Sequence, residues 1–253
     1  MNQHFLVFVI AIFLLQSCAS NKDIVYFQDN YAFEALEHHD ALIMVNDILK
    51  IEVSAVIPEI AIPYNIFSAS GAVGATSVDA LKLQGYLVTA NGDITFPVLG
   101  VINVRGMTTR DVEAHIVELL GTGGHIKDAV VRARIVNAKI TILGEVNLPG
   151  TYNFTEQNIT LPQALGYAGD LTINGRRHDV MVIRQQDGER EIGHIDMTKT
   201  DWFNSKYYYV QQNDVIVVHP NNPKVKSAGF VGSTVTILSI VSILLSTAIL
   251  ITR

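Results

Sequence analysis

The sequence predicts an α+β fold in two globular units, with an apolar segment at each end of the chain. Short β-rich runs alternate with two capped, amphipathic helical stretches through the middle of the sequence. The chain has 253 residues, 49% of them hydrophobic, and the two ends hold much of this hydrophobicity. The roughly 200 residues between the ends suit one large domain or two small ones.

Charge and cysteine content exclude several classes of protein. The formal net charge of −6 and the lack of a long basic run argue against nucleic acid as a partner. The single cysteine excludes an intramolecular disulfide and a Cys-based zinc cluster. The sequence holds no phosphate-binding loop, nucleophile elbow or HExxH motif, and Glu145 lacks the partner carboxylate of a glycoside hydrolase. We therefore expect neither an enzyme nor a bound cofactor or metal.

Residues 1–17 have the features of a signal peptide. An apolar run over residues 5–15 is long enough for a signal-peptide core and too short to cross a bilayer. The following "LLQSC", ending at Cys18, resembles the lipobox of bacterial lipoproteins, which implies cleavage before Cys18 and acylation of that residue with palmitate-type chains. Each buried CH₂ of such a chain contributes roughly 0.8 kcal/mol to membrane binding. The alternative is a signal peptide with an incidental cysteine. Residues 18–40 would form a lipidated tether.

The first unit, residues 41–137, begins with a strand around the turn pair Asn46-Asp47 in "ALIMVNDILKIEV". Residues 58–78 are rich in Ala, Gly, Ser and Pro and predict a long loop or mobile insertion. Asn91-Gly92, between two β-rich runs, predicts a hairpin with a type I′ turn.

A helix and a strand complete this unit. Thr108 and Asp111 have the spacing of a capping box, and Gly121 predicts the end of the helix. The predicted buried face consists of Val112, Ile116 and Leu120. "AVVRARIVN" then returns as a strand.

The second unit, residues 138–222, has a similar mixed pattern. "KITILGEVNLPGTYNF" predicts two strands, and "TLPQALGYAGDL" predicts a short helix capped by Thr160 and ended by Gly169. A further strand pair is predicted across Asp187-Gly188. The closing "NDVIVV", from Asn213, repeats the "NDILKIEV" of the first unit, a polar turn pair that leads into an apolar strand.

These segments, taken together, resemble a known family. "NDILKIEV" with "TANGDITFPVLGVINVRGMTTRDVEAHIVELL" resembles the polysaccharide-export domain of Wza-type outer-membrane proteins. "ITILGEVNLPGTYNF", "TLPQALGYAGDL" and "NDVIVV" resemble the soluble ligand-binding β-grasp (SLBB) domain, and only one such unit is present. The resemblance implies a ring-shaped homo-oligomer, an octamer in the best-known case, that exports capsular or extracellular polysaccharide. It also implies a lipid-anchored protein of the bacterial outer membrane, with its main body in the periplasm, and an inner-membrane co-polymerase, often a tyrosine autokinase, as partner.

Residues 227–252 contain no charged residue and predict a transmembrane helix. At 100° per residue, hydroxyl side chains occupy one arc of roughly 140° and aliphatic side chains occupy the other. The hydroxyl arc consists of Thr236, Ser239, Ser242, Ser246 and Thr247. Eight such helices would enclose a lumen of roughly 6 Å radius, which fits a hydrated sugar strand. The alternative is a plain anchor whose hydroxyls bond to their own backbone or pack between helices.

Two other polar clusters are poor site candidates. His38-His39-Asp40 could ligate a metal but lies in the polar approach segment, and residues 176–179 ("RRHD") are interpreted as a solvated turn at a strand entry. Two hypotheses for function therefore follow. The first is a lipidated, oligomeric export channel for polysaccharide, and the second is a non-conducting, membrane-anchored module that binds glycan or peptidoglycan.

Overall fold

Two separate hydrophobic cores organise the protein, one in each unit that the sequence predicts. The computed structural model describes residues 24–29, 42–66, 84–186, 188–221, 238–243 and 246–247. Helices and strands are mixed in both units, which confirms the predicted α+β class. Ile135, at the end of the first unit, packs against both cores.

The first domain is built on a three-stranded antiparallel sheet in the order β2–β1–β5, with a separate β3–β4 hairpin. In β1, alternate residues Leu49, Ile51 and Val53 are buried, as the period of a half-buried strand requires. The strands are β1 (Ile48–Ser54), β2 (Tyr86–Leu87), β3 (Asp93–Phe96), β4 (Gly100–Asn103) and β5 (Val130–Ile135).

Two short helical turns follow β1, where the sequence predicts only a loop. These are α1 (Pro58–Ala61) and a 3₁₀ helix (Ile62–Tyr64). The side chain of Asn65 accepts from the backbone N–H of Val53 at 2.8 Å and donates to the carbonyls of Val53 and Ala61 at 2.9 Å each. These bonds fold the first part of the predicted loop against the sheet, so that part of the prediction is wrong. The rest of the predicted loop lies outside the described residues.

The main helix of this domain, α2 (Thr109–Thr122), confirms the capping box. Thr108 accepts from the backbone N–H of Asp111, and the Asp111 carboxylate accepts from the Thr108 N–H at 2.9 Å. The predicted face of Val112, Ile116 and Leu120 is fully buried. The helix runs past Gly121, however, because Gly123 still has a right-handed φ of −70° and the first positive φ, +72°, occurs at Gly124.

The hairpin predicted at Asn91-Gly92 is wrong in detail. Gly92 has φ +82°, but Asn91 is not in the left-handed region that a type I′ turn requires. The flanking strands also do not form a ladder with each other, since β2 pairs with β1 whereas β3 pairs with β4. Glycine is required at position 92 because the backbone there passes close to Arg105, and a Cβ would lie 2.5 Å from the Cβ of Arg105.

The second domain is a five-stranded mixed sheet in the order β10–β9–β12–β6–β7, in which only β12 and β6 run parallel. The predicted strand pair around residue 187 is confirmed as the β9–β10 hairpin. The strands are β6 (Lys139–Gly144), β7 (Gly150–Asn153), β8 (Ile159–Thr160), β9 (Gly175–Gln186), β10 (Glu189–Ile195), β11 (Tyr209–Val210) and β12 (Val215–Pro220), with a 3₁₀ helix at Asp201–Asn204.

The predicted short helix is α3 (Leu161–Tyr167). Thr160 and Gln163 form a second capping box, and Gly169 follows the helix with φ +71°, so both predicted boundaries are confirmed. Leu161, Ala164 and Leu165 face the core and are buried.

Most of the predicted transmembrane helix, residues 227–252, lies outside the described residues. Residues 238–243 and 246–247 are helical and their side chains are exposed. Within the described part of the chain, no helix has both the length and the apolar character needed to cross a bilayer.

Candidate functional site

The two Asn-Asp turns noticed in the sequence have the same construction. Asn46 and Asn213 both adopt the left-handed conformation, with φ +70° and +65°. In each turn the following aspartate accepts from the backbone N–H three residues earlier, from Met44 to Asp47 at 2.7 Å and from Gln211 to Asp214 at 2.8 Å. Both aspartates are buried, with 2% and 0% of their surface exposed. The repeated sequence is therefore one turn structure used twice, each time at the start of a central strand.

The two turns meet at the junction of the domains. The side-chain amide of Gln212, in the second turn, donates to Oδ2 of Asp47 at 2.6 Å and to the carbonyl of Leu42 at 3.4 Å. Asn137, in the link between the domains, accepts from the N–H of Ile48 at 2.8 Å and donates to the carbonyl of Asn46 at 2.9 Å. These bonds tie both the link and the second domain to the first turn, and they set the relative orientation of the domains.

The charges at the two turns have different environments. Burial raises the pKa of Asp47 to about 6, against the opposing effect of its bonds from Met44 and Gln212. Asp214 instead has a buried cation beside it, because Nε and Nη2 of Arg184 donate to its two oxygens at 3.0 and 2.7 Å. The remaining Arg184 donors bind the carbonyls of Lys206 and Tyr209. The second turn is thus held by a satisfied ion pair, whereas the first depends on a neutral donor.

A cleft of about 350 Å³ opens beside this junction, with walls from both domains. Thr109, Ala133, Arg134 and Ile135 line it from the first domain. The second domain contributes Ala138, Phe154, Thr155, Glu156, Gln157, Val210, Gln211 and Gln212. Phe154, Val210 and Ala138 are buried and form an apolar floor, whereas Arg134, Glu156 and Gln157 are exposed and belong to the rim.

The leader segment, residues 24–29, is docked on the second domain. The backbone N–H groups of Phe27 and Gln28 donate to the carbonyls of Met197 and Thr198 at 3.3 and 2.7 Å. Asp29 accepts a further bond from the hydroxyl of Thr200 at 2.9 Å. The part of the predicted tether that is described is therefore attached to the domain surface.

Tyr26 is the anchor of the leader segment. Its hydroxyl donates to Asp170 at 2.6 Å, and the Arg177 guanidinium lies 5.0 Å from the centre of its ring. Burial, reinforced by the bond to Asp170, raises the pKa of Tyr26 well above its ordinary value. The hydroxyl therefore stays protonated and acts as a donor.

The solvated turn predicted at residues 176–179 is wrong. These residues lie within strand β9, and Arg177 is buried with 6% of its surface exposed. Its guanidinium donates to the carbonyls of Leu171, Thr172 and Gly175. Asp179 pairs with His194 at 2.6 Å on the neighbouring strand. Four consecutive polar residues resemble a turn in sequence, but here partners from the leader segment and from residues 170–175 allow one of them to be buried.

The two ends of the described body converge on one loop, residues 170–175. Tyr26 binds Asp170 in this loop, and Asn221, the last described residue of the second domain, bonds to Ile173 and Asn174. The chain toward Cys18 and the chain toward residue 227 therefore both leave the second domain beside the same loop.

The predicted site residues are only partly described. Cys18, Thr236 and the His38-His39-Asp40 cluster lie outside the described residues. In the last helix, the hydroxyl of Ser246 donates to the carbonyl of Ser242 at 2.8 Å and that of Thr247 to Ile243 at 3.0 Å. Ser239, Ser242, Ser246 and Thr247 are all exposed. In the described ranges, no three His, Cys, Asp or Glu side chains are grouped so that they could hold a metal ion.

Sequence reasoning missed the side chains that join the parts of the protein, namely Gln212, Asn137, Tyr26 and Arg177. One signal was available for the first, since Gln212 immediately precedes the Asn-Asp pair that repeats the first turn. The others gave no local signal.

Comparison with known proteins identifies the class that this arrangement belongs to. Residues 36–136 match the profile of the polysaccharide biosynthesis/export protein family, and residues 139–193 match the SLBB domain. The chain therefore contains a domain of the polysaccharide biosynthesis/export family followed by an SLBB domain. The two domains of the resemblance, and their order, are thereby confirmed.

Two relatives are described as EPS I polysaccharide export outer membrane protein EpsA. The protein of Ralstonia solanacearum is 33% identical over 120 residues, which are 46% of this chain and 31% of the relative. That of Ralstonia nicotianae is 33% identical over 118 residues, 45% of this chain and 30% of the relative. This chain is a distant homologue that matches about a third of the length of each.

Proposed function

We propose that this protein is a subunit of an outer-membrane channel that exports capsular or extracellular polysaccharide. The observation that carries the proposal is the succession of an export domain and an SLBB domain in a homologue of an outer-membrane export protein. In the proposal, Cys18 carries a lipid anchor, the body stands in the periplasm, and the subunits form a ring, with an octamer expected. An inner-membrane co-polymerase or tyrosine autokinase is the proposed partner.

The meeting of both ends of the described body at the 170–175 loop supports a membrane-anchored arrangement. Five residues lie between Cys18 and Ile24, so the two residues are at most about 20 Å apart when this segment is extended. A lipid on Cys18 would therefore hold this face of the second domain near the membrane. The same face leads to residues 227–252, so both proposed attachments act on one side of the body and neither has to cross it.

The pore proposal rests on the hydroxyl arc of the last helix. A chain that carries a lipid anchor does not need this helix as a second anchor. A ring of such helices with their hydroxyls facing inward would form hydrogen bonds with a passing sugar, without the strong binding that a charged group would cause. Each helix satisfies its own backbone groups, so helices are permitted in the bilayer.

The second candidate is a non-conducting, membrane-anchored module that binds glycan or peptidoglycan. One observation favours it. Ser246 and Thr247 donate their hydroxyl hydrogens to carbonyls one turn earlier in their own helix, as hydroxyls do in a plain membrane anchor. Their oxygens can still accept hydrogen bonds, so the same geometry is compatible with a pore.

Substitutions in the last helix test the two candidates. Leucine at Ser239, Ser242 and Ser246 should preserve insertion, because leucine is favourable at bilayer depth, but should narrow and dry the lumen. Polysaccharide secretion should fall while protein level and oligomer mass stay the same. Leucine at Ile237 and Val241, on the opposite arc, is the matched control and should have little effect.

Thiol labelling gives an independent measurement. With the cysteine introduced by Ser239→Cys, Ser242→Cys or Ser246→Cys, a water-soluble reagent should label the protein, whereas Ile237→Cys and Val241→Cys should stay unlabelled. If both arcs label equally, or neither labels, the pore assignment is wrong. If deletion of the whole protein leaves polysaccharide secretion intact, the export function itself is wrong.

A further inference from the structure

The interdomain cleft has the size and composition of a small-ligand site. Its volume of about 350 Å³ falls in the range of roughly 300–1,000 Å³ that such sites occupy, and junctions between domains are common places for them. An apolar floor of buried Phe154, Val210 and Ala138 lies beneath a polar rim. An apolar floor and a polar rim suit a sugar ring, which presents C–H groups on its faces and hydroxyls around its edge.

The two charged side chains of the rim, Glu156 and Arg134, differ in whether they already have partners. Glu156 already accepts from the N–H of Thr155 at 3.0 Å and from the hydroxyl of Tyr167 at 3.5 Å, so its carboxylate is engaged with its own loop. Arg134 is exposed, and no carboxylate of the described residues lies within ion-pair distance of it. The cleft therefore offers a guanidinium to an incoming group.

The N-terminus of helix α2 lies at the same place. Thr109, the first residue of the 14-residue helix α2, lines the cleft, and the N-terminus of a helix favours anions. The Asp111 carboxylate at this end is committed to Thr108 in the capping box. A planar guanidinium binds a carboxylate through two parallel hydrogen bonds, which a neutral hydroxyl does not offer.

We propose that the cleft binds an acidic saccharide unit, with the sugar carboxylate paired to Arg134 and sugar hydroxyls bonded to Gln211 and neighbouring rim groups. This proposal rests on the export function, since it names a class of substrate for it. The walls come from both domains, and Gln212 both lines the cleft and holds Asp47, so occupancy is linked to the relative orientation of the domains.

Binding of short oligosaccharides to the full-length protein in detergent tests the proposal. The probe is a galacturonic acid trimer, and a neutral galactose trimer of the same length is the comparison, both measured by calorimetry. The acidic trimer should bind at least about tenfold more tightly than the neutral one. Arg134→Gln should weaken binding of the acidic trimer at least about tenfold, and Gln211→Ala should weaken it by a smaller factor.

Arg132→Gln is the matched control. Arg132 lies on the same exposed face of β5 as Arg134, two residues earlier, but does not line the cleft. Its substitution should change the affinity less than twofold. Equal losses from the two arginine variants would mean non-specific charge attraction and would overturn the proposal. Equal affinity for the acidic and neutral trimers, or no binding to the unsubstituted protein, would overturn it as well.

Secretion measurements separate this proposal from the export function. If deletion abolishes polysaccharide secretion and the unsubstituted protein restores it, the export function stands. In that background, full secretion by Arg134→Gln together with unchanged trimer binding would reject the cleft site alone. Lost secretion of an acidic polysaccharide together with lost trimer binding would support it.

Discussion

The side-chain amide of Gln212 donates a hydrogen bond of 2.6 Å to the buried carboxylate of Asp47, across 165 residues of sequence. This bond joins two turns of the same construction, one at the first strand of each domain. Among the described residues no cation pairs with Asp47, so its charged form depends on this neutral donor and on the N–H of Met44. We therefore expect the contact between the domains to depend on the protonation of this one carboxyl group.

The stability of the protein should fall as pH rises through about 6. The pKa of Asp47 is raised by burial to about 6 in the folded state, above its value in an unfolded chain. Between these two pKa values the folded state keeps a proton on Asp47 that the unfolded chain has released. The contribution of this proton to the free energy of unfolding is therefore complete at low pH and is lost above pH 6. Asp47→Asn should lack this pH-dependent part of the free energy of unfolding. The comparison is the free energy of unfolding of both proteins between pH 4 and 8, followed by the fluorescence of Trp202, the single tryptophan.

Gln212→Ala should destabilise the protein more at pH 7.5 than at pH 5. Loss of a hydrogen bond to a charged, buried acceptor costs about 1.5–3 kcal/mol, whereas the neutral acid at pH 5 needs the donor less. Gln211→Ala, at the adjacent position, removes an amide that makes no bond to Asp47 and should have little effect at either pH. The same loss for Gln212→Ala at both pH values would show that the charge of Asp47 is not coupled to this contact.

Arg184→Met should lower the free energy of unfolding by about 3–5 kcal/mol, because it leaves the carboxylate of Asp214 buried without a cation. Adding Asp214→Asn to Arg184→Met should recover a large part of this loss, since no buried charge then remains. Denaturant unfolding followed by Trp202, which is buried in the same domain, measures both variants. A double variant no more stable than the single one would show that the arginine acts by packing and not by charge.

Tyr26→Phe should loosen the leader segment without changing the stability of the domain. The variant keeps the ring beside Arg177 but loses the hydroxyl that donates to Asp170. Amide exchange at Phe27 and Gln28 should accelerate about five- to tenfold, as loss of one hydrogen bond implies. Val25→Ala, at a position with 48% of its surface exposed, is the control. Unchanged exchange in Tyr26→Phe would place the anchor of this segment elsewhere.

Cys18→Ser should leave an uncleaved precursor that stays in the inner membrane through its apolar run. The mass of the purified protein should then include residues 1–17 and no lipid, and membrane fractionation should show the altered location. Cys18→Ala should behave in the same way, because neither side chain can receive an acyl chain through sulfur. Normal processing and normal sorting of either variant would contradict the assignment of a lipoprotein.

The sequence by itself was sufficient for features whose partners lie within a few residues. Thr108 with Asp111, and Thr160 with Gln163, form their capping boxes across one helical turn, so the spacing of residue types determines the bond. The periodic burial of Val112, Ile116 and Leu120 follows from the same local geometry. The order of the two domains could also be predicted from the sequence, because each domain has its own pattern of strands and capped helices.

Only the tertiary structure decided which polar side chains would be buried and what they would meet. Arg177 lies in a run of four polar residues that reads as a turn, yet it is buried because carbonyls from residues 170–175 and the ring of Tyr26 surround it. The bond from Gln212 to Asp47 and the cleft beside it exist only where the two domains pack together. A hydrophobic pattern records that a face is buried, but a buried polar group is tolerated only when a partner reaches it, and such partners come from distant parts of the chain.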